Sequence, residues 1–314
     1  MVSEIVDRTR REFVSNGAPD ANPNSVPSGV ALACMEIWGG NRAVETALSV
    51  PGIDAWILSQ PYREADSGGD IHYVSMCAAG RIARFALADV SGHGAGVGPL
   101  ALGVRALMRR NINTLDQTRL ARALNESFKE LDPRGRFATA LLATYFTPSD
   151  HLVLCNAGHP PPLLYRAAAR TWEYLTPDSE GVSGRGDELP GASNLPLGVI
   201  DPTEYAQFAV ELATGDVAIL YTDALLEAAA AGPGPKRLLG TAGLLEIVRG
   251  MGAGNASDLG RELVRRVDAH AGVTSPRQRD DDLTVVVLRH NAGEPPRQGL
   301  VERIRITARM LGLS

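Results

Sequence analysis

Apolar residues fall along this chain in two spacings. Short, nearly continuous β-type runs at 54–60, 71–77, 82–88, 138–146, 152–156, 217–221 and 283–288 predict strands. Residues 98–110, 118–131, 242–250 and 256–271 predict two pairs of helices. Strand clusters separated by helix pairs, with several hairpins, predict an α+β layered domain and exclude a purely parallel sheet. Ahead of this body, 4–14 reads as a short helix and 16–29, rich in Pro, Asn, Ser and Gly, as a linker. After it, 291–299 reads as a loop. Leu300 to Leu313 then carries apolar residues at 300, 301, 304, 308 and 311, which is helical spacing. The expected organisation is an N-terminal helix and linker (1–29), one folded body (30–290), and a loop with a C-terminal helix (291–314) that docks on the body or on a partner.

Composition narrows the class. The chain has 314 residues, 44% hydrophobic, with a formal net charge of −5 and no long basic run. A nucleic-acid partner is therefore not expected. Cys34, Cys77 and Cys155 form no C-x-x-C pair and sit in apolar runs, so they read as buried thiols. The first sixteen residues are charged and lack an apolar signal core, and no apolar run reaches the ~20 residues of a membrane span. The expectation is a cytoplasmic protein with no membrane partner.

The candidate chemistry lies in where the aspartates fall. Asp70 stands immediately before the run 71–77, a turn at Ala78-Ala79-Gly80-Arg81 reverses the chain, and 82–88 ends at Asp89. Pairing of two equal runs about that turn puts Asp70 and Asp89 at the same end of one hairpin. Further on, 217–221 runs into Thr222 and Asp223, whereas Asp280-Asp281-Asp282 precedes 283–288. One acid follows its strand and the others precede theirs, so antiparallel placement brings them to one rim. A sheet rim collecting Asp70, Asp89, Asp223 and Asp281 is expected. Acids at strand ends are also ordinary turn residues, but four flanking apolar strands favour a shared purpose. Carboxylates so gathered raise one another's pKa unless a cation compensates. Oxygen-only ligands favour Mg²⁺ or Mn²⁺ over Zn²⁺.

These residues sit in motifs that follow one another in a recognisable order: Ser67-Gly68-Gly69-Asp70, Ala88-Asp89-Val90-Ser91-Gly92-His93-Gly94, Phe137-Ala138-Thr139, Asn156-Ala157-Gly158-His159-Pro160, Leu195-Pro196-Leu197-Gly198, Tyr221-Thr222-Asp223 with Glu227, and Asp281-Asp282-Leu283-Thr284. In them the sequence resembles the SpoIIE-like bacterial branch of the metal-dependent serine/threonine protein phosphatase (PPM, type 2C) superfamily, over residues 54–289. The resemblance implies a four-layer α-β-β-α sandwich with two central antiparallel sheets and two metal ions, Mn²⁺ or Mg²⁺, at one end. It implies that Asp89 bridges the ions and that the Val90 carbonyl ligates one of them. Asp70 then serves the second metal, directly or through water, while Asp223 and Asp281 complete the shell of the first. The implied partner is a phosphorylated regulatory protein, such as an anti-sigma-factor antagonist; homodimerisation is a further expectation for regulation. Two positions depart from the family pattern. Ala224 replaces a usual Gly, which implies a different local turn. Tyr73 replaces a usual Asp, which implies the loss of an outer acid behind the second metal.

Phosphate monoesters hydrolyse extremely slowly unaided. Two ions about 3.5–4 Å apart bind phosphoryl oxygens and activate a shared water, so no covalent nucleophile is needed. Asp89 and His93 are the catalytic candidates, His93 as proton donor to the leaving group. His159 is a second candidate donor, read first as a packed histidine bonded to backbone. Ser91 beside His93 lacks a Gly-x-Ser-x-Gly elbow, and Asp282 is expected to cap or hydrogen-bond rather than to ligate. Two alternatives stay open: a catalytically silent phosphoprotein-binding module of the same fold, and a hydrolase of small phosphate esters.

Overall fold

The computed structural model describes residues 37–294, apart from 78–79, 93–96, 112–113, 115, 133–134, 185–192, 201 and 234. The expected helices at 4–14 and 300–313, the linker 16–29, Cys34 and His93 lie outside the described residues. Among those described, one sheet has the strand order β1-β4-β5-β6-β7-β11-β10. Its strands are β1 (Ile37–Gly40), β4 (Asp70–Cys77), β5 (Ile82–Val90), β6 (Ala138–Phe146), β7 (His151–Ala157), β10 (Val182–Ser183) and β11 (Gln207–Glu211). The second sheet has the order β2-β3-β13-β12-β8-β9. It comprises β2 (Val44–Val50), β3 (Ile53–Gln60), β8 (Leu163–Arg166), β9 (Thr171–Tyr174), β12 (Val217–Tyr221) and β13 (Leu283–His290). All strand pairings are antiparallel.

Side-chain alternation builds the layers. On β5, Ala83, Phe85 and Leu87 enter the core between the sheets, while Ala86, Ala88 and Val90 face outward. On β3, Ile53, Ala55 and Ile57 face inward, and Trp56 and Leu58 outward. The outward face of the first sheet is covered by α1 (Gly98–Arg110) and α2 (Gln117–Leu131), through Val104, Leu107, Leu124 and Phe128 among others. That of the second is covered by α4 (Gly240–Arg249) and α5 (Ala256–Ala271), through Leu244, Val248, Leu259, Leu263 and Val267. The result is a four-layer α-β-β-α sandwich. It also explains why antiparallel strands read as continuous apolar runs, since covering both faces removes the polar alternation of a half-exposed sheet.

Two of the helices begin where a short polar side chain caps them. Asp116 accepts from the backbone N–H of Thr118 (2.9 Å) and Arg119 (3.2 Å) at the start of α2, and Asn255 accepts from Asp258 (2.9 Å) at the start of α5. A fifth, very short helix, α3 (Ala224–Glu227), follows β12. Among the described residues no helix is long and apolar enough to cross a membrane. Cys155 is fully buried, and burial pushes its thiol up to about 12, so it behaves as a small core residue.

The two rims of the sandwich differ. At one, Tyr145 Oη donates to Asp150 (2.6 Å) and His290 Nε2 meets the same carboxylate (3.0 Å), closing the ends of β6 and β13. The opposite rim, where β4, β6 and β13 begin and β5 and β12 end, holds the acids described below.

Packing of α5 on the second sheet depends on Gly260. A Cβ there would lie 2.1 Å from the Trp56 ring. Alanine is worth roughly 1 kcal/mol over glycine as a helix former, but overpacking a tight core costs about 1–3 kcal/mol. Gly260→Ala is therefore expected to lower stability despite its better helix propensity. The check is the urea midpoint at unchanged slope; a midpoint at or above wild type would contradict this packing.

Candidate metal centre

The register of the β4–β5 hairpin pairs Asp70 directly with Asp89. Gly80, which leads into β5, has a φ of +84°, a conformation that suits glycine. Both acids project to the inter-sheet side. Asp89 lies between Ala88 and Val90, which face the helices, and Asp70 reaches the second sheet through a hydrogen bond from the Thr222 hydroxyl (2.8 Å). In the second sheet Tyr221 pairs with Val285, and Thr222 N donates to the Thr284 carbonyl (3.0 Å). Asp223, two residues past the end of β12, and Asp281, two residues before β13, thus flank neighbouring strands at the same rim. Asp89 and Asp223 share that rim, each close enough to Asp281 to feel its charge.

The electrostatics follow from this crowding. Burial, then the charges of Asp89 and Asp282, hold the Asp70 carboxyl well above the usual carboxylate range, against hydrogen bonds from Thr222 and Thr284. Burial, then Asp223, Asp281, Asp282 and Glu227, push Asp89 up to about 8. Burial, then Glu227 and Asp281, push Asp223 up to about 6.

Several residues support these acids. Asp282 is buried and accepts from the backbone N–H of Tyr62 (2.6 Å) and Gly69 (2.7 Å), so it clamps the segment entering β4. This matches the expectation of a hydrogen-bonding role. Gly68 permits the clamp, because a Cβ there would fall 2.3 Å from the Asp282 carboxylate. Asn41, buried, donates to the carbonyls of Gly68 (2.9 Å) and Gly98 (3.3 Å), tying the same segment to α1. Asn41, the Thr222 hydroxyl that donates to Asp70 while accepting from Thr284 N, and the Thr284 hydroxyl that meets Ser59 were not found by sequence reasoning as parts of the site. Thr222 and Thr284 did stand inside recognisable motifs; nothing local to Asn41 marks it.

His159 is fully committed. Its Nδ1 lies 2.8 Å from Thr139 Oγ1 and its Nε2 lies 3.0 Å from the Tyr221 carbonyl, and burial lowers its pKa to about 4. It is a neutral structural histidine that joins the two sheets. Ser91 is likewise engaged: its Oγ accepts from Phe137 N (3.1 Å), and its own N–H donates to the Phe137 carbonyl (2.9 Å).

Two expectations drawn from departures are corrected. Ala224 is the first residue of α3, and it is absent from the described non-glycine residues with positive φ. Its backbone is one any residue adopts, so the missing glycine does not impose a different turn. Tyr73 packs on the helix-facing side of β4 with Ile71, opposite to Asp70. A side chain at 73 points away from the acidic rim, so the loss of an acid there takes nothing from it.

The acids at this rim offer oxygen donors alone, and with the Val90 carbonyl that the resemblance adds they would suit a hard divalent ion. Gly69 keeps that carbonyl clear, since a Cβ at 69 would stand 2.9 Å from the Val90 oxygen and 3.2 Å from that of Gly92. Among the described residues no three Asp, Glu, His or Cys side chains are already gathered as a ligand cage. Like charge opposes their closer approach, and binding would require the carboxylates to move inward.

Residues 80–291, well over half of the chain, match the family model described as Stage II sporulation protein E (SpoIIE). Among solved structures the chain is similar to the RsbU and RsbW domains of Rv1364c from Mycobacterium tuberculosis, at 25% identity and a TM-score of 0.62, over 81% of this chain and 65% of that one. It thus spans just under two thirds of that protein. It is also similar to the PP2C phosphatase domain, with a fragment of the regulatory domain, of SpoIIE from Bacillus subtilis (16% identity, TM-score 0.61, 83% of this chain and 71% of that one). A third likeness is to RsbX in complex with magnesium (16%, TM-score 0.54, 79% and 100%). The latter two likenesses are of fold alone. The family match and the PP2C-type sandwich together place this chain in the SpoIIE-like branch of the PPM (type 2C) phosphatase superfamily.

Proposed function

We propose that this chain is a metal-dependent protein phosphatase that hydrolyses phosphoserine or phosphothreonine on a regulatory partner protein. The observation that carries this reading is the meeting of Asp70, Asp89, Asp223 and Asp281, from both sheets, at one rim of a phosphatase-family fold. In this reading those four carboxylates and the Val90 carbonyl hold two divalent ions, Mn²⁺ or Mg²⁺. When bound, such a pair screens the phosphoryl oxygens and acidifies water for in-line hydrolysis. The chain's own residues position and exclude. Thr222 and Thr284 orient Asp70, and Asp282 and Asn41 fix the segment that leads into it. His159 is neutral at physiological pH and holds Thr139 and the Tyr221 carbonyl, so it has no spare proton to give. The leaving-group proton is assigned to His93 on its motif position. Ser91, spent in a turn, is not a nucleophile. The SpoIIE-like resemblance names anti-sigma-factor antagonists as the substrate class.

Turnover of p-nitrophenyl phosphate and of a phosphopeptide with Mn²⁺ tests the reading. Charge stabilisation worth several kcal/mol corresponds to a loss of roughly a thousandfold in rate for Asp89→Asn. No turnover by the wild-type chain, or an undiminished rate in the variant, would favour the silent binding module. Faster hydrolysis of free phosphoserine than of the phosphopeptide would favour the small-ester hydrolase.

Metal-free stability should depend on pH with a definite sign. Asp89 (about 8) and Asp223 (about 6) lie above the ~3.9 of an unfolded aspartate. The folded state therefore binds more protons, and stability falls as pH rises from about 4 through 8. In EDTA at pH 8, Asp89→Asn should be more stable than wild type by about 1–2 kcal/mol after allowance for partial exposure, read from its urea midpoint. Mn²⁺ should raise the wild-type melting temperature more at pH 8 than at pH 6. A metal effect that shrinks with pH would overturn the assignment of these carboxylates as ligands.

Thr222→Val removes the hydroxyl that holds Asp70 and preserves shape. Mn²⁺ affinity, measured by calorimetry, should fall about 10–100-fold. Unchanged affinity would separate Asp70 from the metal centre.

A further inference from the structure

Most large apolar side chains of the described residues are buried, but three exposed ones lie on segments joined to the rim end of β5 and β6: Phe137 (42% exposed), Val199 (47%) and Ile200 (48%). Phe137 is bonded to Ser91 through both of its backbone groups, two residues after Asp89. Along β6, Leu141 and Ala143 face the inter-sheet core, and Thr139, in the same phase, pairs with Asp89 and touches His159. Phe137 continues that phase past the strand end, on the same side of the first sheet as Asp89.

The 196–200 segment is joined to this strand. Ala138 and Leu197 exchange backbone hydrogen bonds at 3.0 and 2.7 Å, and a Cβ on Gly198 would lie 3.2 Å from the Arg136 carbonyl, so the turn that carries Val199 and Ile200 adjoins the segment that carries Phe137. The turn is held firmly. Gly198 N donates to Asn125 Oδ1 (2.8 Å), Asn125 Nδ2 donates to the Ile200 carbonyl (2.9 Å), and Thr203 Oγ1 donates to the same carbonyl (2.7 Å). Gly198 has a φ of +88°, and a Cβ there would lie 2.5 Å from the Phe128 ring, so the turn sits directly on α2. Two exposed aliphatic side chains on a pinned turn are preorganised for contact, because little ordering remains to be done on binding. Exposed apolar groups gathered in one place mark interaction surfaces.

We infer that Phe137, Val199 and Ile200 form a ledge that seats an aliphatic or aromatic side chain of the substrate protein, lying within two or three residues of its phosphoserine or phosphothreonine. This rests on the reading of the acidic rim as the phosphatase centre. The ledge is continuous with that rim through Ser91 and Val90, and an extended chain advances about 3.3–3.6 Å per residue, so neighbours of a phosphoresidue held at the acids come within reach. The phosphoryl group is the same on every phosphoprotein. Discrimination among them requires a second contact, and an apolar pocket provides one of about 10–200-fold.

The test uses two phosphoserine peptides, one with leucine on either side of the phosphoserine and one with serine there. Their affinities are measured by fluorescence anisotropy with the full wild-type chain, with Phe137→Ser, and with Val199→Ser/Ile200→Ser. All three residues are exposed, so neither variant removes core packing. The wild type is expected to bind the leucine peptide about tenfold more tightly, with the ratio falling toward one in both variants. Equal binding of the two peptides by wild type, or a preference that survives in both variants, would overturn the ledge. So would a variant that dissociates a dimer in sedimentation without altering the ratio, which would assign the patch to a second copy. Wild-type turnover of p-nitrophenyl phosphate reports on the phosphatase reading alone. Its failure with the peptide preference intact would leave the ledge standing on a silent module.

Discussion

Each central strand of this fold is buried on both faces, and that leaves chemistry one place to go. Phe85 and Leu87 on one side of β5 and Ala86 and Ala88 on the other have no solvent-facing alternative. A charged side chain in mid-strand must find its partner away from water, as the buried Arg84 of β5 does. Strand ends escape this restriction, because backbone and side chain there reach solvent. The two rims use the freedom differently. One is closed by a small network in which the Tyr145 hydroxyl and His290 Nε2 both meet the Asp150 carboxylate. The other accumulates carboxylates that repel, and it is held in shape by hydroxyls and backbone amides that stabilise without neutralising.

That arrangement stores unfavourable energy at a fixed point. Asp70 and Asp89 are register partners, so the sheet hydrogen bonds themselves keep them together. Relaxing their repulsion would mean breaking the ladder. Hydrogen-bond donors ease it only in part: the Thr222 hydroxyl donates to Asp70, and the Tyr62 and Gly69 amides donate to Asp282, whose charge otherwise adds to the repulsion. A compact dication relieves more of the repulsion than any of these donors, since it carries full charges into the gap. Scaffold strength and site strain are therefore two aspects of one feature, as is common where function requires groups that folding alone would disperse.

How much of this could be read beforehand follows from what each signal depends on. The strands carrying the acids were legible because they are long and apolar throughout, and the β4–β5 register followed from two runs of equal length about one turn. The 98–110, 138–146, 217–221 and 256–271 elements fell at the same bounds in the fold. β2 was missed because Val44-Glu45-Thr46-Ala47-Leu48-Ser49-Val50, at the edge of its sheet, is neither a continuous apolar run nor a clean alternation. β8 and β9 span only four residues each, and β1 contains Gly39 and Gly40. Short strands take their stability from neighbours already in place, which leaves little local trace. Asn41 was invisible for the same reason: its importance is defined by two carbonyls, 27 and 57 residues away.

The substitutions at 73 and 224 show why a motif should be read through geometry before it is read as chemistry. Counted along the chain, Tyr73 is three residues from Asp70 and looks like part of the same site. Counted by strand phase it belongs to the opposite layer, among the side chains under α1. Position 224 looks like a place where only glycine would serve, yet the chain turns into a helix there, and alanine is the residue best suited to that backbone. By contrast, Gly69 and Gly68 sit where a single added carbon would strike the Val90 carbonyl or the Asp282 carboxylate. In a fold whose strands are covered on both sides, what a residue contributes is set by which layer its side chain enters and how close the next backbone passes. By that measure the glycines before Asp70 belong to the site, and the tyrosine after it belongs to the core.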